Sequence, residues 1–300
     1  MFKVENRYPH YAESVKVEWN LGKRCNLDCT YCPAEIHDNF SPHTKLEKLK
    51  NTVDTLAKLK NSRISFTGGE PTVHPAFEDL LHYARDKIKW LSVTTNATRT
   101  VEFYERIPVN YLVFSLHFED SQWAKRLNTI INFATATNSL IEPKDFHIAL
   151  MAHHDYMKEL KQAAAYLTGY SIPYTVRRIR WTERHDWFDD MKYQGNDLQW
   201  IINNTATAQP NTLIDDVELA HANDIIKEHR NKFKGWNCRA GIESLMINWD
   251  GEVHRATCRV GGSLGNIYNG SFKESTTSII CTRKWCTCAA DIPLTKIATS

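Results

Sequence analysis

The chain has 300 residues, of which 42% are hydrophobic, and its formal net charge is +2. It is long enough to bury a full core, but it lacks the strongly basic character of proteins that bind nucleic acids. It has no apolar stretch long enough for a membrane span and no signal peptide, which predicts a cytoplasmic protein without membrane partners. Its eight cysteines are then expected to be reduced and to bind metal.

The first predicted strand covers residues 15–21, and a cysteine-rich loop follows it. Cys25, Cys29 and Cys32 lie on this loop in a C-x3-C-x2-C spacing. Thiolates are the ligands of iron–sulfur clusters, and three of them leave one iron of a four-iron cluster open for chemistry. A structural zinc site needs a fourth ligand. His37 is the local candidate for it, so zinc stays an alternative.

A predicted helix and a second strand come next, and the strand ends in two glycines. Apolar residues at steps of three and four predict a helix over residues 46–59, and residues 63–67 predict the strand. The sequence Gly68, Gly69, Glu70, Pro71 follows. Adjacent glycines allow a backbone to approach a ligand closely, and Glu70 offers a carboxylate beside it.

The cysteine loop and the Gly-Gly-Glu-Pro segment together resemble the radical S-adenosylmethionine (SAM) superfamily. The resemblance implies a 4Fe-4S cluster on the three cysteines, whose open iron binds SAM. It implies that the reduced cluster cleaves SAM to a 5′-deoxyadenosyl radical that abstracts hydrogen from a substrate. An external one-electron reductant of the flavodoxin or ferredoxin type is then required. The resemblance assigns the amino acid end of SAM to Gly68, Gly69, Glu70 and Pro71.

Four more predicted strands continue the alternation of strands and helices. They cover residues 91–95, 111–116, 146–151 and 174–179, with amphipathic helices between them. This alternation predicts an α/β fold with parallel strands and helical crossovers. Six strands are too few for a closed eight-stranded barrel. The resemblance implies an open, partial (β/α)6 barrel with its cofactors at the carboxyl ends of the strands, where α/β sheets generally bind ligands.

Further candidates for SAM binding lie on the cysteine loop and at the ends of the third and fourth strands. The resemblance implies that Tyr31 packs near the adenine, that Thr95 and Asn96 contact SAM, and that Ser115 lies near the ribose. Ser115 and His117 alternate with apolar residues, so both are expected on one face of the fourth strand. His117 is then either a contact to SAM or substrate, or a hydrogen-bonded residue of the barrel.

The alternation ends near residue 185. Residues 1–185 are predicted to form the partial barrel, and residues 186–234 a connector with helical pieces at 197–203 and 218–229. In residues 235–300, alternating apolar residues on both sides of Asp250-Gly251 predict a hairpin. The hairpin brings Cys258 back towards Cys238.

This last region resembles the twitch and SPASM extensions of radical SAM enzymes, which bind auxiliary clusters. Five cysteines are too few for the two clusters of a full SPASM extension, so a single second 4Fe-4S cluster is expected. Its candidate ligands are Cys238, Cys258, Cys281, Cys286 and Cys288. The spacing does not decide which of the last three is not a ligand, or whether the cluster takes an electron from a substrate radical or binds the substrate. A four-cysteine zinc stays an alternative.

The sequence therefore predicts a radical SAM enzyme whose substrate is not identified. The segment before the first strand is too short for a leader-binding domain. This favours a small molecule, a sugar or a nucleotide, or a peptide recognised without such a domain. The alternatives are a peptide-modifying maturase and a non-catalytic iron–sulfur or zinc protein with a structural or redox-sensing role. The Gly-Gly-Glu-Pro segment argues against the last, because a structural cluster needs no SAM site.

Overall fold

A computed structural model shows the fold and describes residues 3–6, 14–137, 140, 144–179, 192–205, 212–214, 217–220, 225, 229–286, 288 and 291–299. The strands are β1 Lys3–Asn6, β2 Lys16–Asn20, β3 Arg63–Thr67, β4 Trp90–Thr95, β5 Tyr111–Leu116, β6 Asp145–Ala152, β7 Thr175–Arg178, β8 Thr212–Ile214, β9 Val217–Ala220, β10 Asn237–Cys238, β11 Ser244–Ile247, β12 Glu252–His254, β13 Ser263–Asn266, β14 Ile279–Ile280 and β15 Lys296–Ile297. The helices are α1 Leu46–Leu56, α2 Phe77–Arg85, α3 Val101–Arg106, α4 Trp123–Ala136, α5 Met157–Gly169 and α6 Asp197–Thr205.

The main sheet has nine strands in the order β13-β12-β11-β2-β3-β4-β5-β6-β7. Strands β2 to β7 run parallel and coincide, within two residues at each end, with the six predicted strands. Strands β13 and β7 are its two edges, so the sheet is open rather than closed. The predicted α/β fold with an open parallel sheet is confirmed.

The core lies between this sheet and its helices. Helix α1 buries Leu49, Val53 and Leu56 completely, which is the apolar face that its three- and four-residue spacing predicts. On the sheet, Trp19 and Phe66 are also fully buried. Burial of this apolar surface is the main favourable term in folding.

The carboxyl-terminal hairpin is confirmed and extends the main sheet. Strands β11 and β12 pair antiparallel, with Ile247 opposite Val253, and Gly251 turns the chain at a φ of +88°. A Cβ there would lie 2.4 Å from the ring of Tyr268. Strand β11 also pairs parallel with β2, so the sheet crosses the predicted boundary between barrel and carboxyl-terminal region. The three-domain division itself stays a prediction.

A second sheet has the order β14-β10-β15-β1-β9-β8, and part of it was predicted as helix. The helix predicted at 218–229 is wrong over Val217–Ala220, which is strand β9 and pairs parallel with β1. The partner strand lies at the other end of the chain, and such distant pairing overrides local propensity. Residues 221–224 and 226–228 of that prediction lie outside the described residues. Over the described ranges, no helix is long and apolar enough to cross a membrane.

Candidate active site and second cysteine site

A cavity of about 320 Å³ lies at the carboxyl ends of the barrel strands. Its volume is within the usual range for small-molecule sites. The predicted residues that line it are Cys25, Cys29, Tyr31, Cys32, Gly68, Gly69, Glu70, Thr95, Asn96 and Ser115, with His37 and His117 beside them. Pro71 is buried at the start of a short 3-10 turn and, within the described wall, is not one of the lining residues. The fold thus gathers residues from distant segments into one site.

The cysteine loop is held in place by the turn that follows it. The Arg24 guanidinium donates from Nε to the carbonyl of Ser41 at 2.6 Å. Lys23 lies 2.9 Å from Asp38, which also accepts hydrogen bonds from the Ser41 backbone and hydroxyl. Burial raises the pKa of Asp38, but the hydrogen bonds from Ser41 and Lys23 outweigh it and hold this pKa well below its usual range. The carboxylate therefore fixes the loop while ionised.

The two glycines bring the second motif against the cysteine loop. The Gly69 amide donates to the Gly22 carbonyl at 2.9 Å, and the Glu70 amide donates to the Arg24 carbonyl at 2.8 Å. A Cβ on Gly69 would lie 2.2 Å from the Arg24 oxygen. Gly68 has a φ of +130° and equally little room. The predicted close approach exists, but the glycines approach the backbone of the cysteine loop.

The Glu70 carboxylate joins the ends of β3 and β4. It is 3% exposed and accepts from the Thr72 amide at 3.0 Å, the Thr95 hydroxyl at 2.9 Å and the Asn96 amide at 2.7 Å. Burial raises its pKa even though these donors favour the ionised form. Thr95 and Asn96 are therefore positioned by Glu70, and Glu70 both lines the cavity and organises its wall.

Asn96 reaches from β4 to the first cysteine. Its side-chain amide donates to Cys25 Sγ at 3.7 Å and to the Asn26 side chain at 2.9 Å. The backbone amide of Leu27 also points to Cys25 Sγ, at 3.4 Å. Donors aimed at sulfur favour the charged thiolate that a metal needs.

An aromatic and histidine group covers the other side of the cysteine loop. The Tyr31 hydroxyl lies 2.5 Å from Nδ1 of His117, and the same nitrogen is 3.6 Å from Cys29 Sγ. Burial lowers the pKa of His117 to about 4, so this imidazole is neutral near pH 7. His117 is thus a hydrogen-bonded residue of the barrel that also faces the cavity.

Two residues of this group were not singled out from the sequence. Glu119 accepts from the Thr30 amide at 2.8 Å and the Thr30 hydroxyl at 2.6 Å, and it lies 3.1 Å from Nε2 of His153. Both residues follow the carboxyl ends of barrel strands, which was the available signal. Isolated acidic residues and histidines are too common in sequences for that signal to select them.

A second cavity gathers four of the five late cysteines. The sulfur-bearing residues in its wall are Cys238, Cys258, Cys281 and Cys286. Cys288 is described but is not part of this wall. The hairpin does return Cys258 towards Cys238, as predicted. Buried in the same wall are Asp291 and Lys296, and the Lys296 ammonium donates to the carbonyls of residues 291, 292 and 294.

Burial makes the thiols at both sites weak acids. It raises the pKa of Cys29 and Cys32 to about 12 and that of Cys258 to about 11. It also raises the pKa of Cys25, Cys238 and Cys286. All eight cysteines lie in described parts of the chain and are thiols rather than disulfides. A bound metal would have to displace their protons.

The spacing of the sulfurs is wider than zinc requires. Thiolates about 2.3 Å from a tetrahedral zinc lie roughly 3.8 Å apart. Throughout the described ranges, one triplet of candidate metal ligands has all its ligand atoms within 4.8 Å, and it consists of His153, His154 and Asp155. Neither cysteine group meets that limit. His153 is itself engaged, since Nδ1 accepts from the Asp155 amide at 3.2 Å and Nε2 faces Glu119.

The open parallel sheet and the cysteine cavity at its carboxyl edge define a class of α/β protein. Residues 19–142 match the family model described as the radical SAM superfamily. The chain therefore carries a radical SAM superfamily domain over these residues. The domain and the structural neighbours below support an enzyme.

Curated relatives match different lengths of the chain. Fe-coproporphyrin III synthase of Methanosarcina barkeri is 39% identical over 83 residues, which are 27% of this chain and 21% of that protein. The antilisterial bacteriocin subtilosin biosynthesis protein AlbA of Bacillus subtilis is 25% identical over 295 residues, covering 89% of this chain and 60% of AlbA. The chain thus spans less than two thirds of the length of either relative.

Solved structures share the fold. Streptococcus suis SuiB bound to the precursor peptide SuiA has a TM-score of 0.57 at 16% identity, over 87% of this chain and 64% of SuiB. The enzyme anSMEcpe with bound AdoMet has a TM-score of 0.57 at 15% identity, over 87% of this chain and 79% of its own.

Proposed function

We propose that this chain is a radical SAM enzyme whose catalytic cluster is held by Cys25, Cys29 and Cys32. The observation that carries the proposal is the single cavity in which these thiols face the glycine loop and the ends of β4 and β5. Three soft ligands on one short loop fit a 4Fe-4S cluster with one iron open. Cluster and SAM together would supply a 5′-deoxyadenosyl radical able to abstract hydrogen from a substrate.

The residues of the chain bind and orient. Gly68 and Gly69 keep the loop backbone within hydrogen-bonding distance of the cysteine loop, and Glu70 fixes the ends of two strands. Tyr31, Thr95, Asn96 and Ser115 are proposed to contact SAM from the cavity wall. Pro71 is proposed to act by starting the turn after Glu70. The protein thereby positions the cofactor and excludes water, while the cofactors carry the difficult chemistry.

The second cavity is proposed to hold another 4Fe-4S cluster on Cys238, Cys258, Cys281 and Cys286. Support comes from the enclosure of four thiols by one wall and from sulfur spacing wider than that of zinc. Four cysteines fill all four iron positions of such a cluster. This favours transfer of an electron from the substrate over direct binding of the substrate. Cys288 is proposed to be the cysteine that is not a ligand.

A peptide is the substrate class that the relatives favour. AlbA, named for bacteriocin biosynthesis, matches 89% of this chain, and the SuiB structure contains a precursor peptide. Fe-coproporphyrin III synthase, by contrast, matches 27% of the chain. We therefore propose a peptide-modifying maturase ahead of a small-molecule enzyme, and an external one-electron reductant of the flavodoxin or ferredoxin type.

The experiment is anaerobic reconstitution with iron and sulfide, reduction with dithionite, and measurement of 5′-deoxyadenosine released from SAM. The wild type and Cys288→Ala are expected to release it, and Cys25→Ala is expected to release none. A fully loaded wild type that releases no 5′-deoxyadenosine would contradict the proposal and favour the non-catalytic alternative. Acceleration of release by a precursor peptide, but not by GTP or coproporphyrin, is the outcome expected for a maturase.

A further inference from the structure

Trp285 lies in the wall of the second cysteine cavity with one polar hydrogen unused. It directly precedes Cys286, and both residues line the cavity. Its indole Nε1 is shielded from solvent and has no hydrogen-bond partner. Buried N–H groups nearly always have an acceptor, so a lone one facing a cavity calls for a group inside that cavity.

The other polar groups of this wall already have partners. The Arg283 guanidinium donates to the Cys258 carbonyl from Nε at 3.2 Å and from a terminal nitrogen at 3.0 Å. The Lys296 ammonium donates to three backbone carbonyls. A carboxylate oxygen of Asp291 accepts from the Cys258 amide at 3.1 Å. Aliphatic side chains such as Val260 and Leu294 form much of the rest.

We propose that the indole N–H of Trp285 donates a hydrogen bond to a sulfur of the metal group bound by the four cysteines, and so raises the reduction potential of that group. The inference rests on the second cluster proposed above. One-electron reduction adds negative charge to the cluster, and a donor aimed at sulfur stabilises that charge. Hydrogen bonds to the sulfurs are among the factors that set cluster potentials. Trp285 is thus a positioning and tuning residue rather than a ligand.

The test uses the full chain with Cys25, Cys29 and Cys32 changed to Ala, so that the second cluster is measured alone. Its potential is determined by redox titration followed by electron paramagnetic resonance, with and without Trp285→Phe. The expected change is a threefold to tenfold lower ratio of reduced to oxidised cluster at a fixed potential, where tenfold equals about 59 mV for one electron. The matched control is Trp236→Phe, because Trp236 packs on Phe233 at 5.2 Å, is described, and does not line this cavity. The control is expected to leave the potential unchanged.

Two further measurements do not depend on the folding of the Phe variant. Benzothienylalanine at position 285 keeps the ring size but lacks the N–H, and it is expected to lower the potential as Phe does. Pulsed paramagnetic resonance of Trp285-containing protein labelled with ¹⁵N in the indole ring is expected to show a coupling to the reduced cluster. An unchanged potential in both variants, or absence of the coupling, would overturn the role of Trp285 alone. Absence of iron from the triple-alanine chain would overturn the second cluster as well.

Discussion

At the scale of single residues, the site depends on two carboxylates that bind backbone rather than ligand. Glu70 joins two strand ends through three hydrogen bonds, and Asp38 joins the cysteine loop to the turn after it. Both are buried, so each polar contact counts more than it would at the surface. Their substitution is expected to disturb the site before any cofactor binds.

Glu70→Gln replaces one acceptor oxygen by an NH2 group that faces backbone or hydroxyl donors. We expect the free energy of unfolding to fall by about 1–3 kcal/mol, because a buried donor then lacks its acceptor. Urea unfolding of the cofactor-free chain measures it. Glu78→Gln is the control, since Glu78 pairs with Arg106 at 2.8 Å on the surface and its loss is expected to cost less than about 1 kcal/mol. Equal losses in the two variants would contradict this role of Glu70.

Asp38→Asn is expected to make stability less dependent on pH. The folded chain holds the pKa of Asp38 below its usual range, so the ionised carboxylate stabilises the fold above the unfolded pKa of about 3.9. That contribution is lost as pH falls through the lower, folded pKa. The gap in unfolding free energy between wild type and variant should therefore be widest near neutral pH and shrink below about pH 4.

The control is Asp28→Asn, at an exposed carboxylate of the same loop, which is expected to change stability little. A gap between wild type and Asp38→Asn that stays constant from neutral pH to pH 3 would contradict the role given to Asp38.

At the scale of elements, the cysteine loop and the glycine loop act as one unit. Two backbone hydrogen bonds join them, and no side chain fits between them at Gly69. The loop that carries the thiols is thus held by a segment that contributes no metal ligand, and its geometry is set before metal binds.

Gly69→Ala is expected to push the two loops apart, because the added methyl group would lie 2.2 Å from the Arg24 oxygen. Overpacking of this kind costs about 1–3 kcal/mol, and the first cluster should no longer assemble. Iron content after reconstitution and urea unfolding report the two effects. Gly22→Ala is the matched control, because a Cβ there meets nothing within 4 Å. If Gly69→Ala loads as much iron as Gly22→Ala, the packing argument is wrong.

Sequence patterns predicted the long, periodic elements and missed the short or distant ones. The barrel strands and the hairpin follow from alternation and turn residues, since both signals are local. Helix α3 has six residues, too few for a helical period to show. Strand β9 depends on β1 at the far end of the chain, and Glu119 and His153 meet only after folding. The exclusion of Cys288 from the second cavity likewise depends on packing that spacing does not encode.

At the scale of the whole molecule, the two cysteine sites share one continuous sheet. Strand β11 pairs with β2, placing Ile247 opposite Trp19, and the late cysteines flank the hairpin that β11 begins. The barrel and the carboxyl-terminal region are therefore expected to unfold together.

Ile247→Ala is expected to lower the free energy of unfolding by about 2–5 kcal/mol, because it leaves a cavity in the shared core. Ile247 is fully buried, whereas Ile280 is 51% exposed, so Ile280→Ala is the control and should cost far less. Tryptophan fluorescence and circular dichroism should follow a single transition in each protein. A separate early transition confined to one signal would show that the carboxyl-terminal region unfolds on its own.

The central claim is that the chain holds two clusters on two separate sets of cysteines, and iron counting tests it most directly. The wild type, Cys25/Cys29/Cys32→Ala, Cys238/Cys258→Ala and Cys288→Ala are reconstituted anaerobically, and iron and sulfide are measured per chain. The account predicts about eight irons in the wild type and in Cys288→Ala, and about four in each of the other two variants. About four irons in the wild type, falling to none in Cys25/Cys29/Cys32→Ala, would contradict it, because the second set would then hold no cluster.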